Sequence, residues 1–573
     1  MLPKLHQTTK ECHNLGSMDY NEACLRVKNK MNVSINMMRT TTECYKCGMH
    51  LWQTINVGDS NHLAVHTSWT HTFGFVSTQG SSCVLTRKFE QHSMYHWDAD
   101  LSCQPVKSLH PPDNPYIPVY LIYGIFQIFL LAVVLWKLAE RFGVTDKVLE
   151  RLKKGKGRDA QSEVSETATT ATVTQTSRAS SDFPVFQVMA IQVFRGLTIF
   201  GTIIFHGESS RYWFMKPSAW NGIMPSDLMY PWFLWSMGAV MYQKYRTSLI
   251  FGTQRSAVCF EILLRSFRYI IFGFFLNTFE DNNLSLARFP GEMQRYGLVH
   301  LIMFTLEMSV MKKKVKVSNM TKPRDLLDCY PQAGFLLVCL LLHLVITYNL
   351  PVPDCPTGYT GPGGFHNYSS HKKCTGGAAR FIDVLVFGED HILRNAPCFD
   401  IYNCLSFDTE GILGTLNALL TVYGGIQASR IFVYYSKTRY HFTMLLIWGF
   451  FQVFLALCLC GFVKEEGLIP LNKSLWSLSF ALFTSGTAFL VFTALYMIVD
   501  VGRWWSGTPC FEAGLNAMLL YFGHIVLSYS FPFSWVQVDK TSFYEFVIMD
   551  VITVAFWIIV VIVTYKKNRI FLV

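Results

Sequence analysis

Residues 206–235 read HGESSRYWFMKPSAWNGIMPSDLMYPWFLW and crowd His206, Glu208, Arg211, Lys216, Asn221 and Asp227 among aromatic side chains. An imidazole can take or give a proton near neutral pH, so His206 is a candidate general base. Asn221 and Asp227 can position an acceptor group; equally, they can cap the helix that follows, with Asp227 near its first turn. An aromatic belt at a membrane boundary accounts for the Trp and Tyr residues but not for polar groups at this density. His524, in a later apolar segment, is a second candidate catalytic histidine, although a lone histidine in a helical bundle is more often a hydrogen-bonded structural group.

Cations inside apolar segments mark a second kind of chemistry. Arg195 precedes His206 by 11 residues. A continuous helix separates them by about 16 Å, against a hydrocarbon core of about 30 Å. One helix can thus offer a cation to phosphates at one level and an imidazole at another. Glu261, Arg265 and Arg268 fall at i, i+4 and i+7, on one helix face. They suit either an anionic ligand or a structural ion pair with a snorkelling end. Together with Trp504 and Thr508 in the polar loop at 504–509, Arg195, Arg265 and Arg268 are the candidate ligand-binding residues.

Elements of a particular kind must hold these groups. The chain has 573 residues, 51% of them apolar and 15% charged, where a soluble domain has about a quarter charged. Mean hydropathy is +0.25. This composition excludes a disordered chain, a collagen-like chain and a purely cytosolic enzyme. About eleven apolar runs reach spanning length: 117–137, 185–206, 223–243, 256–276, 295–311, 331–350, 410–434, 440–462, 475–498, 512–530 and 546–565. Helix is the only economical reading, because each backbone polar group must be satisfied within its segment. The expectation is a polytopic α-helical membrane protein with a small N-terminal β-rich domain. Residues 1–115 form that domain, 116–138 the first span, 139–184 a linker rich in Ser, Thr and Ala, and 185–573 the remaining ten spans.

The net charge of +10 reports orientation rather than a nucleic-acid partner. Basic loops at 147–158 (KVLERLKKGKGR), 244–255, 312–324, 437–439, 503 and 566–569 fall on one side of successive spans, predicted to be cytoplasmic along with the C-terminus. The N-terminal domain and the loops at 207–222, 277–294, 351–409, 463–474 and 531–545 then face the other compartment. Ten of sixteen cysteines lie there: Cys12, Cys24, Cys44, Cys47, Cys83, Cys103, Cys355, Cys374, Cys398 and Cys404. An even number in an oxidising compartment predicts disulfides. Cys44 and Cys47 are read the same way, since no second CxxC follows to complete a metal site; no metal is expected. Sequons at Asn32, Asn367 and Asn472 share that side, so glycosylation is expected. Met1 to Asn14 lacks an apolar signal-peptide core, so the chain is expected to be processed or truncated, or its domain to be translocated by the first span.

Several motifs, in order, resemble one family. Arg195-Gly196, YW…K..WNG at 212–222 and D(L)..PWF at 227–233 are similar to the membrane acetyltransferase family of heparan-alpha-glucosaminide N-acetyltransferase and its bacterial relatives. So are RFPGEMQR at 288–295, PVPDCPTGYTGPGG at 351–364, CTGGAARFID at 374–383, GEDH at 388–391, EGILGTLNALL at 410–420, EEGLIPLNKSLWSLSF at 465–480, and Asp500 through SGTP to YFGH at 521–524. The resemblance covers roughly residues 185–573 and, more weakly, the N-terminal domain. It implies a dimeric lysosomal membrane enzyme with a luminal N-terminal domain and eleven spans. Its co-substrate would be cytosolic acetyl-CoA, with no permanently bound cofactor, and its acceptor the amine of a terminal glucosamine of heparan sulfate. The family's usual histidine, in a Lys-His pair before the WNG run, is replaced here by Pro217 after Lys216, whereas the family's asparagine near the end of the second span is His206. Asp383, Asp390 and His391 match the luminal loop, where they can bind sugar or fix the loop. Three functions follow: an acetyltransferase using His206, an acetyl-CoA-binding relative with lost or changed acceptor chemistry, and a transporter, for which intramembrane charge also speaks but no inverted repeat of hydropathy does.

Overall fold

A computed structural model describes residues 21–77, 82–110, 188–207, 214–279, 283–313, 324–536 and 543–567, with isolated positions elsewhere. Most of the expected first span at 117–137, the linker at 139–184, and Glu208 and Arg211 lie outside the described residues.

The N-terminal part is a β-sandwich, as the alternating stretches at 61–65 and 70–76 predict. Its strands are β1 Glu22–Asn29, β2 Ile35–Thr41, β3 His50–Ile55, β4 Ser60–His66, β5 Thr70–Ser77, β6 Ser82–Lys88, β7 Met94–Ala99 and β8 Lys107–Ser108. They form two four-stranded sheets in the orders β4-β1-β7-β8 and β3-β2-β5-β6. β1 pairs antiparallel with β4 and parallel with β7. Period-two alternation decides the core: in β7 Tyr95, Trp97 and Ala99 point inward while Met94, His96 and Asp98 do not. Phe73 from the facing sheet meets Trp97 edge to face at 5.4 Å. A Cys83–Cys103 disulfide fastens β6 to the loop after β7.

The rest is helical. Among the described residues the α-helices of six residues or more are, in order, α1 Met189–His206, α2 Met229–Ile250, α3 Arg255–Thr278, α4 Glu292–Val310, α5 Tyr330–Asn349, α6 Ala378–Phe387, α7 Ile412–Tyr434, α8 Thr438–Leu459, α9 Leu478–Tyr496, α10 Cys510–Leu515, α11 Ala517–Leu527 and α12 Phe543–Lys566. Among the described residues helix therefore occurs at ten of the expected spans, 185–206 to 546–565. Among the described residues five helices are long and apolar enough to cross a membrane: α1, α5, α8, α12 and α9 with its continuation to Val501. α5, α8 and α12 leave most of their apolar surface outside the bundle, with Phe450, Phe451 and Phe454 about three-fifths exposed. That is the pattern of a helix solvated by lipid.

The others are less apolar because they turn polar groups inward. α7 is buried almost throughout. Its Arg430 is ion-paired with Glu307 of α4, both buried, and Gln332 of α5 donates to the same carboxylate at 2.9 Å. The expected span at 512–530 differs: it is two helices, α10 and α11, broken at the buried Asn516, and α11 alone has 11 residues. That is too short to cross a bilayer by itself.

The sandwich docks on the helical part through loops expected to share its side. Lys464 pairs with Glu43 at 2.6 Å, Lys46 with Glu466 at 3.2 Å, and His50 stacks on Phe365 with ring centroids 4.0 Å apart. Disulfides join Cys12–Cys24, Cys44–Cys47, Cys355–Cys374 and Cys398–Cys404. With Cys83–Cys103, these account for all ten cysteines expected to pair, and the other six are free.

Candidate functional site

α1 ends at His206, and its neighbours decide what that imidazole meets. A Cβ on Gly196 would sit 1.8 Å from the Cys510 carbonyl oxygen, and one on Gly514 2.0 Å from that of Gln192. Only glycine permits this backbone-to-backbone approach of α1 and α10. The chain then turns at Asn516, and α11 runs beside α1. The two candidate histidines, more than 300 residues apart, become neighbours: His206 Nδ1 lies 3.1 Å from His524 Nε2. His524 is buried and its Nδ1 is 2.9 Å from the Leu520 carbonyl.

That last contact fixes the proton positions. A carbonyl only accepts, so His524 Nδ1 carries a hydrogen, and in the neutral ring Nε2 is then an acceptor. His206 must donate from Nδ1, which leaves its Nε2 with the free lone pair. His206, exposed at the helix end, therefore keeps an open lone pair on Nε2, and His524 fixes its tautomer from behind.

His206 opens into a cavity of about 300 Å³. Its walls include Arg288, Glu292, Gln294, Glu410, Lys473 and Tyr521. Tyr521 donates to Glu292 at 2.5 Å. Arg288 grips Asp408 with two bonds of 2.7 and 2.8 Å and reaches Glu410 at 2.5 Å. Burial pushes the Asp408 carboxyl up, but the Arg288 guanidinium outweighs it and holds the group below its usual range. Burial likewise lowers Lys473, while Asp227, Glu292 and Glu410 raise it, with a net shift upward. The Gln294 amide is buried with neither its oxygen nor its nitrogen bonded. Such a group is rare in native proteins and suits a polar ligand or water.

The remaining predicted residues are distributed over the bundle. Asp227 is fully buried; its Oδ2 accepts from the Ser218 and Met224 amides at 3.1 and 2.9 Å, and its Oδ1 lies 3.4 Å from Lys473. It caps the short 3₁₀ turn Pro225–Leu228 and reaches the cavity only through that lysine. Asn221 donates to Glu465 at 2.7 Å, accepts from Asn472 at 3.0 Å, and faces a different cavity. Arg195 is buried near the middle of α1, 5.7 Å from the Phe233 ring, with no carboxylate partner among the described residues. Glu261 is paired with Lys244 at 2.6 Å and Arg265 at 3.2 Å. Arg265 is buried and Arg268 exposed, so the three residues of that stripe do not line one pocket. Trp504 and Thr508 are exposed, Thr508 donating to Glu512 at 3.0 Å. They lie beyond the other end of α1, where Asp500 accepts from the Met189 and Ala190 amides at 3.0 and 2.9 Å. Asp383 accepts from the Ile412 amide at 2.9 Å, and His391 Nδ1 donates to the Ala287 carbonyl at 2.7 Å. Asp390 meets Arg394 at 3.6 Å.

Single-residue reasoning missed Arg288, Glu292, Gln294, Glu410, Lys473 and Tyr521. Each sits inside a motif singled out in the sequence, and that clustering was the available signal. Among the described residues no three His, Cys, Asp or Glu side chains group as a metal site.

No family model matches the chain. It is 33% identical over 407 residues, 69% of its length and 61% of the relative's, to the heparan-alpha-glucosaminide N-acetyltransferase of Mus musculus. With that of Homo sapiens it shares 33% identity over 395 residues, 67% and 59% of the two lengths. The chain thus spans about three-fifths of the curated relatives it matches. Over the shared stretch it is a divergent homologue of the heparan-alpha-glucosaminide N-acetyltransferases.

Proposed function

We propose that the chain is a membrane acetyltransferase that moves the acetyl group of acetyl-CoA to the amine of a terminal glucosamine of heparan sulfate, across the lysosomal membrane. The observation that supports this most is the His206–His524 pair, whose hydrogen bonds leave the free lone pair on His206 Nε2, and the cavity that His206 lines. In the reaction the acceptor nitrogen attacks the thioester carbonyl, a C–N bond forms, and the C–S bond breaks. The amine proton passes to His206 Nε2, and the same nitrogen can return it to the departing thiolate. A positioned base of this kind is worth about 10²–10⁴ in rate.

The cavity chemistry suits the acceptor. Glu292 and Glu410 can hold its ammonium group before deprotonation, and the Gln294 amide matches a sugar hydroxyl. Arg195 and Lys473 are cations for the donor side and the developing oxyanion, respectively. Arg195 suits an anionic donor better than Arg265, which already has Glu261. Pro217 has no titratable group, and His206 supplies the base its position lacks.

The test is acetyl transfer by the purified full chain. Wild type should acetylate glucosamine, and His206→Ala should lose at least about a hundredfold in kcat with thermal stability retained. Full activity in His206→Ala removes that residue from the mechanism, and a wild type with no acetylated product on any glucosamine acceptor defeats the proposal.

A further inference from the structure

A short turn ties the sandwich to the helical part. Residues 43–47, between β2 and β3, read ECYKC, and Cys44 and Cys47 close the turn as a disulfide. Glu43 pairs with Lys464 at 2.6 Å and Lys46 with Glu466 at 3.2 Å, while the Tyr45 hydroxyl donates to the same Glu466 carboxylate. The Tyr402 hydroxyl donates to the Glu43 carbonyl at 3.0 Å and accepts from the Tyr45 amide at 3.3 Å. The Lys46 carbonyl accepts from the Tyr368 amide at 2.9 Å. The two cysteines pack in one apolar cluster with Trp220, Cys398, Tyr402 and Phe407 of the helical part.

Three observations separate this disulfide from one that only staples the fold. Its cysteines are 3 residues apart, against 6, 12, 19 and 20 for the other four pairs. A cross-link restrains the unfolded chain more the longer the loop it closes, so this one does least for the stability of the fold. Its two sulfurs differ in access: Cys47 is half-buried, whereas Cys44 is buried, as are both members of the neighbouring Cys398–Cys404 pair. Finally, Lys46, inside the ring, has φ 50°, and its hydrogen-bond partner Tyr368 lies in a run of residues, Asn367 to Ser369, with φ of 50°, 55° and 62°. Side-chain-bearing residues rarely adopt that left-handed backbone, and it persists only where the surroundings enforce it. The four-residue ring enforces it at Lys46.

We propose that Cys44–Cys47 is a site of reversible thiol–disulfide exchange that takes a dithiol reductant, and that its reduction releases the sandwich from the helical part. One thiolate of the dithiol attacks Cys47 Sγ, the Cys44–Cys47 bond breaks, and the electron pair leaves on Cys44 Sγ. That sulfur takes up a proton, and the thiol so formed has the Ile401 carbonyl oxygen 3.4 Å away as an acceptor. The second thiolate of the dithiol then attacks the reductant's own sulfur in the mixed disulfide, and Cys47 departs and is protonated. Two electrons and two protons pass to the protein, and the reductant leaves as a disulfide. With the ring open Lys46 relaxes, which withdraws its carbonyl from Tyr368 and the Tyr45 and Lys46 side chains from Glu466. The space this widens is the larger cavity, of about 770 Å³, which is lined by both parts, Trp52 and Pro217 among them, and shares Pro397 with the cavity at His206. The exchange thus controls the way past Pro397, whatever reaction takes place beyond it.

The experiment equilibrates the full chain in lipid nanodiscs with mixtures of reduced and oxidised dithiothreitol, and reads cysteine alkylation and amide hydrogen exchange by mass spectrometry. Cys44 and Cys47 should become reduced at a dithiol-to-disulfide ratio about tenfold or more below that required by the other four pairs. At that ratio the Tyr45 and Tyr368 amides should exchange about tenfold faster while the amides of β5 keep their protection, which distinguishes undocking from unfolding. Oxidised dithiothreitol should reverse both changes. Cys44→Ser/Cys47→Ser should show the fast exchange at Tyr368 without reductant, and the wild-type titration stands without that variant. Reduction of this pair only together with the others, protection at Tyr368 that survives it, or loss of β5 protection along with it each overturns the proposal. None of these readouts uses acetyl transfer, so the result is independent of the reaction proposed above.

Discussion

His524 Nε2 accepts from His206 Nδ1 at 3.1 Å while its own Nδ1 donates to Leu520, so the buried histidine sets the tautomer of the exposed one. His524→Ala removes the acceptor of the His206 N–H without removing His206, the proposed base. It should lower kcat by about 10- to 100-fold, less than His206→Ala, within the span of general-base effects. Pro217→His supplies an imidazole on the larger cavity, and activity in His206→Ala/Pro217→His above that of His206→Ala would show that the two positions can substitute for one another. Steady-state acetyl transfer reads both.

The buried pair Glu307–Arg430 ties α4 to α7. Removing one partner strands the other charge in an apolar bundle, a loss of about 3–5 kcal/mol. Arg430→Ala should therefore lower the thermal midpoint in detergent strongly, whereas Glu307→Met/Arg430→Met should recover part of the loss. An Arg430→Ala protein as stable as wild type would contradict a structural role.

Asp383 supplies a pH dependence of stability. Burial pushes its carboxyl up to about 7, with Asp408 adding to the rise and the Ile412 amide and Arg295 opposing it. The unfolded chain titrates near 3.9, so between about 4 and 7 the folded state holds a proton that the unfolded state has released. The stabilisation is complete below about 4 and is lost as pH rises through 7, by up to about 4 kcal/mol for a shift of this size. Thermal midpoints measured from pH 5 to pH 8 should fall, and Asp383→Asn should flatten that slope. A slope that Asp383→Asn leaves unchanged assigns the effect to other groups.

The cysteines divide into ten paired and six free. Alkylation of unreduced, denatured protein should add six labels by mass spectrometry, rising to sixteen after reduction.

Composition and periodicity determined much of this protein alone. Low charge content and recurrent apolar runs dictate helices, because a backbone in lipid must satisfy its own hydrogen bonds. Period-two alternation at 61–65 and 70–76 dictates strands, and the confinement of ten cysteines to one set of loops dictates that they form disulfides, whereas which cysteine joins which is decided by the fold. The sequence also singled out His206 and His524, and the motifs in which the cavity walls lie. It had no means of joining the two histidines into one pair, since that depends on Gly196 and Gly514 letting α1 and α10 touch and on the turn at Asn516. Nor could spacing along a helix distinguish a ligand site from an ion pair at Glu261, Arg265 and Arg268: which side of the helix faces the bundle, and what it meets there, is set by packing between distant segments. The cavity between the sandwich and the helices is likewise a property of two surfaces brought together, and only the tertiary structure sets the Cys44–Cys47 turn against Tyr368 and Glu466.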